Sequence, residues 1–163
     1  MVAKTYSKKR PKKMNKTQKR SVNLKQVYKK PDISLIVKTL LEILTTVKIY
    51  HWNTLSYAQH KATDQLYEEL NENIDTFVEI LLGKNDRRIG KMTSICRHYD
   101  FKSGNDDKEP DYNLFKQQLF KYRRFLTELN RVFSSKNDSD LLNVRDEIIG
   151  KLNQFLYLLS FTK

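Results

Sequence analysis

A single cysteine, Cys96, stands among 163 residues. No disulfide can therefore form within the chain, no Cys-x-x-Cys motif exists, and a reducing compartment suits it. Glycine and proline are scarce, at four and three residues, which argues against a strand-rich fold built on tight turns and favours long helices. Long hydrophobic runs are missing too. The most apolar stretch, Ile33 to Trp52, is interrupted by Lys38, Glu42 and Lys48, whereas a spanning helix needs about 20 largely apolar residues. The basic start, with Lys and Arg recurring through Lys30, lacks the apolar centre of a secretory signal. The expectation is an intracellular protein, neither secreted nor membrane-bound. Nucleotide hydrolysis, acyl transfer and metalloprotease chemistry have no foothold, because no Gly-x-Gly-x-x-Gly, phosphate loop, Gly-x-Ser-x-Gly or His-Glu-x-x-His occurs.

Acidic residues are absent from the first thirty positions, which hold 12 Lys and Arg; residues 31–163 hold 19 basic and 19 acidic groups. The whole net charge of +12 thus sits on an N-terminal arm attached to a neutral remainder. With few apolar groups and the run Lys8-Lys9-Arg10-Pro11-Lys12-Lys13, residues 1–30 cannot bury enough surface to offset their chain entropy and are expected to be disordered. Lys4, Lys8, Lys9, Arg10, Lys12, Lys13, Lys16, Lys19 and Arg20 are candidate phosphate contacts. Lys8 to Lys13 also reads as a nuclear-localisation signal, with the bundle as a protein-interaction module.

Residues 31–163 carry four amphipathic patterns, and the expectation is one all-α, four-helix bundle. The first runs from Asp32 or Ser34, as cap, to about Trp52, with Ile33, Ile36, Val37, Leu40, Leu41, Leu44 and Val47 at helical spacing on its apolar face. Residues 53–56 read as a turn. A second helix spans about Tyr57 to Leu82, with Leu66, Leu70, Ile74, Phe77 and Leu81 inward and Gly83 as its C-terminal cap. Residues 84–110 have room for one short helix. A third begins at Asp111, burying Leu114, Leu119, Tyr122, Phe125, Leu126, Leu129, Val132 and Phe133, and ends near Ser135. Ser139 or Asp140 caps the fourth, which buries Leu141, Leu142, Ile148, Ile149, Leu152, Phe155, Leu156 and Leu159.

Two of the three histidines, His51 and His60, flank the first turn, and Asp64, Asp75 and Glu79 follow on the second helix. At about 100° per residue, Asp64, Asp75 and Glu79 lie roughly 40°, 60° and 100° from His60, so all four share a face. Imidazole with carboxylate suits iron, manganese or zinc. The same carboxylates, with Glu68, Glu69 and Glu72, also read as a solvated acidic face, with His51 packed at a helix end.

The run His51-Trp52-Asn53, followed by His60, Asp64, Asp75, Glu79 and Gly83, resembles the signature of the DNA-protecting mini-ferritins, the Dps family. The last segment, Asp138 to Tyr157, is similar to that family's final helix, so the likeness covers roughly residues 31–163. The resemblance implies a ferritin-like bundle assembled as a hollow homo-dodecamer. It implies a ferroxidase site between subunits, with His51, His60 and Asp64 from one chain and Asp75 and Glu79 from another. Fe(II) would be oxidised there by peroxide or oxygen, with no catalytic group beyond the ligands. The basic arm is expected to bind and condense DNA, placing the protein with DNA in a nucleoid, nucleus or virion.

Two features depart from the pattern: the interval from His51 to His60 is shorter than the family's, and the glycine after His-Trp-Asn is missing. Short ferritin-like proteins of large DNA viruses show a similar shortened turn. A shortened turn equally suits a non-catalytic DNA-packaging or virion structural protein that kept the bundle. His98, two residues from Cys96, lacks partners to complete a zinc site. Trp52 is expected in the core or at an interface, and Phe115, Phe120, Tyr122 and Phe125 in the core and subunit contacts.

Overall fold

The computed structural model describes residues 32–86, 88–90 and 111–161, and these form an all-α bundle of four helices. The basic arm, Cys96, His98 and most of residues 84–110, where one short helix is expected, lie outside the described residues.

Helix α1, Ile33–Asn53, starts where the Asp32 carboxylate accepts the Ser34 N–H at 3.1 Å, offsetting one orphan donor of the first turn. It stops because Thr54 turns extended, at φ −68° and ψ 136°. Two residues after Thr54, Ser56 caps α2, Tyr57–Asn85, by accepting the Gln59 N–H at 3.4 Å. Gly83 is not the stop. It lies inside α2, and the left-handed residue is Asp86, at φ 47° and ψ 43°, a conformation Asp tolerates better than most side chains.

Helix α3, Tyr112–Glu128, is capped by Asp111 and tightens into a 3-10 turn, Leu129–Arg131. It therefore ends before the expected Ser135. Phe115 rather than Leu114 is buried at its start, and Val132 is exposed just past the 3-10 turn. Helix α4, Ser139–Leu159, has Asp138 at its cap position, one residue before the expected Ser139 and two before Asp140. The Asp138 carboxylate accepts the N–H of Ser134 instead of a helix amide.

Contacts fix the directions. α1 and α2 form an antiparallel hairpin in which the Tyr50 hydroxyl donates to Gln59 Oε1 at 2.6 Å. The end of α2 meets the start of α4 through Lys84 Nζ, 2.8 Å from Asp140 and 3.3 Å from Asp138. The end of α1 meets the start of α3, where the Tyr50 and Phe115 rings stack at 3.8 Å. Buried Arg145 of α4 donates to the Leu126 carbonyl and to Asn130 Oδ1, both at 2.9 Å, and so satisfies acceptors at the end of α3. Around the bundle the order is α1, α2, α4, α3, with α2 and α3 at opposite corners. Asp86 and Asp111 lie at opposite ends, so α2 and α3 run in the same direction. One end-to-end connection of this kind is the connectivity of ferritin-like bundles, unlike an up-down-up-down bundle.

The core is continuous from Leu40, Ile43 and Val47 through Leu70, Phe77 and Leu81 to Phe115, Leu126, Ile148 and Leu152. Among the described residues no helix is long and apolar enough to cross a membrane.

Candidate functional site

The three-residue break at Thr54–Ser56 sets the geometry. A short connection forces the last turn of α1 against the first turn of α2, and the Gln59 side-chain carbonyl ties it down by accepting from the Tyr50 and Thr54 hydroxyls. His51 and His60 are thereby stacked, with ring centroids 3.9 Å apart and planes 23° from parallel.

His51 Nδ1 lies 3.0 Å from the backbone oxygen of His60, and His60 Nδ1 lies 3.1 Å from that of His51. A carbonyl oxygen only accepts, so each Nδ1 carries the proton and donates. The two bonds are reciprocal. They leave each Nε2 as the nitrogen with a free lone pair whenever the ring is neutral. The Thr63 hydroxyl, 3.3 Å from His51 Nδ1, supports the buried ring from below while donating to the Gln59 carbonyl. A ligating histidine is commonly held this way, its second nitrogen donating to a backbone carbonyl.

Asp64 stands one turn beyond His60, half-buried. Its Oδ1 is 3.7 Å from His51 Nε2 and 3.8 Å from Lys48 Nζ. The Lys48 ammonium also lies 4.5 Å above the Tyr67 ring and 5.9 Å from that of Trp52. Neither Lys48 nor Thr63 stands out in the sequence as a site residue. Each enters through the register of α1 on α2, which periodicity within one helix does not encode. Trp52 is 69% exposed, so it is no part of this chain's core.

The structure thus gathers His51, His60 and Asp64 at the start of α2. Asp75 and Glu79 are exposed on the same helix, with Asp75 about 16 Å further along than Asp64, at 1.5 Å per residue. Among the described residues no group of three or more His, Cys, Asp or Glu side chains is arranged to hold a metal ion. The stacked rings explain part of this: their lone pairs lie in two near-parallel planes, so no single ion sits in both at bonding distance. An ion in the plane of one ring would therefore not be shared with the other.

The class this fold defines is an all-α four-helix bundle with a single end-to-end connection and a histidine–aspartate cluster at one end. The chain belongs to a protein family of unknown function, DUF5856, whose model matches residues 51–159. That span opens at His51 and contains all five candidate ligands, while the basic arm lies outside it. No curated protein and no solved structure matches the chain.

Proposed function

We propose that this protein is a DNA-binding mini-ferritin of the Dps type. In this reading identical bundles pair so that His51, His60 and Asp64 of one copy face Asp75 and Glu79 of a second copy. Fe(II) is bound and oxidised between them, and the arm, through Lys4, Lys8, Lys9, Arg10, Lys12, Lys13, Lys16, Lys19 and Arg20, holds DNA. Two Fe(II) ions supply the electrons that, with two protons, reduce one peroxide to two waters. Iron is the substrate, and the carboxylates balance the charge of the ferric product.

The observation that carries the reading is the reciprocal clamp, which leaves Nε2 of both imidazoles as the lone-pair nitrogen, that of His51 beside Asp64. Spacing supports it. The intervals 60–79 and 64–75 share a midpoint between Glu69 and Leu70. Two antiparallel α2 helices related by a two-fold axis at that level bring His60 level with Glu79 of the second copy and Asp64 level with Asp75. Such pairing also juxtaposes carboxylates of like charge, which cations between them would relieve.

A second reading has its own observation. The same two Nδ1–H bonds staple a short turn, which explains the histidines without any metal and fits a DNA-packaging or virion scaffold. Deleting residues 1–20 tests the DNA function that both share: at about 0.15 M salt retardation of duplex DNA should collapse while the oligomer persists. Unchanged retardation would contradict both.

A further inference from the structure

The opposite corners of the bundle carry opposite charge. Helix α2 bears Asp64, Glu68, Glu69, Glu72, Asp75 and Glu79 against Lys61 and Lys84. Helix α3 with its 3-10 turn bears Lys116, Lys121, Arg123, Arg124 and Arg131 against Glu128 alone. The neutrality of residues 31–163 is therefore partly a cancellation between two faces on opposite sides of the molecule.

The basic face is a stripe. At about 100° per residue, Lys116, Phe120, Arg123, Arg124 and Arg131 fall within a sector of roughly 100°, and they span about 22 Å of helix. Lys121, Arg124 and Arg131 are exposed, and Lys116 and Arg123 half-exposed. None of the five cations pairs with a carboxylate among the described residues. Arg123 is held in place, its guanidinium 4.9 Å over the Phe120 ring and 3.0 Å from Asn153 Oδ1. A solvated helix face ordinarily mixes signs to gain pairs three and four residues apart. This one forgoes them and keeps a line of uncompensated positive charge, which complements a linear polyanion. Duplex DNA offers one, with a charge every 1.7 Å or so of its axis.

We propose that this α3 face is a second phosphate-backbone contact for duplex DNA, on the folded bundle, used together with the arm. It rests on the nucleic-acid half of the function proposed above and extends it from the arm to the folded bundle. The contact is with phosphates, which carry no sequence information directly.

The test uses the full chain with its arm intact and the triple variant Lys116→Gln, Arg124→Gln, Arg131→Gln. Arg123 is left alone because of its bond to Asn153. Affinity for a mixed-sequence duplex is measured across salt concentration. Each lost phosphate contact lowers the steepness of log K against log salt by about 0.9, so the variant should lose about 2 to 3 in slope and on the order of tenfold in affinity at moderate salt. Sedimentation without DNA should match the wild type. Wild-type slope and affinity in the variant would overturn the α3 contact and leave the arm's role standing. A wild-type chain that retains no DNA would overturn both. Altered sedimentation of the variant would place the acidic α2 face of a second copy on this stripe instead, which also overturns the proposal.

Discussion

His51 and His60 use one ring nitrogen on each other's backbone, and the second nitrogen separates an iron site from a staple. Asparagine can offer an N–H close to where imidazole Nδ1 sits while lacking the Nε2 lone pair. His51→Asn and His60→Asn should each keep unfolding free energy within about 1 kcal/mol of the parent, since the hydrogen bond is retained. The same changes should abolish binding of Co(II), which optical titration reads directly. Undiminished Co(II) binding by the Asn variants would remove the imidazoles from the ligand set. At the other end of α2, the hydrogen bond from Lys84 holds the Asp140 carboxyl below its ordinary value, helped by the Leu141 N–H, while Asp140 raises Lys84 above its own. For Asp140 the folded-state value is depressed, so its contribution is complete above the ordinary value of 3.8 and fades as pH falls through the lowered one. For Lys84 the contribution holds below 10.5 and is lost as pH rises through the raised value. Asp140→Asn should therefore flatten the acid limb of stability, measured as urea midpoints between about pH 5 and pH 2. An acid limb identical to the parent's would show that the clasp adds nothing.

At the scale of elements, hydrophobic periodicity locates all four helices and most of their buried faces, because a helix must present its apolar stripe to a shared core. It fails where the decision belongs to a neighbour. Leu114 and Phe115 are adjacent and about 100° apart, and the Tyr50 and Phe155 rings on neighbouring helices select Phe115 for burial. Phe115→Ala should accordingly cost about 3–5 kcal/mol and Leu114→Ala no more than about 0.5 kcal/mol, compared by urea unfolding. Comparable losses at both positions would contradict this packing. Gly83 misleads for a different reason. Glycine is common just past a helix, yet here α2 continues through it, and a Cβ at Gly83 would meet nothing within 4 Å. Gly83→Ala should raise stability by about 0.5–1 kcal/mol, whereas a loss would imply that Gly83 needs its missing side chain.

For the whole molecule, what can be read from sequence alone is the charge division and the intervals along α2. A ratio of charges on residues 1–30 needs no structure, and the positions His60, Asp64, Asp75 and Glu79 share a helix face by arithmetic. The clamp between the histidines, the placement of Lys48 on Asp64 and the opposition of the α2 and α3 faces require the packing of one helix on another, which no single-helix pattern encodes. One bundle does not complete the proposed site, because Asp75 stands about 16 Å along α2 from Asp64, so the proposal requires a second copy. The decisive measurement is Fe(II) oxidation by the purified protein, with peroxide or in air, beside the variant Asp75→Ala, Glu79→Ala. Oxidation above the buffer rate by the wild type, lost in a variant of unchanged sedimentation, is the result a shared ferroxidase site predicts. Buffer-rate oxidation by both proteins would contradict it and leave a DNA-binding scaffold whose histidines staple a turn.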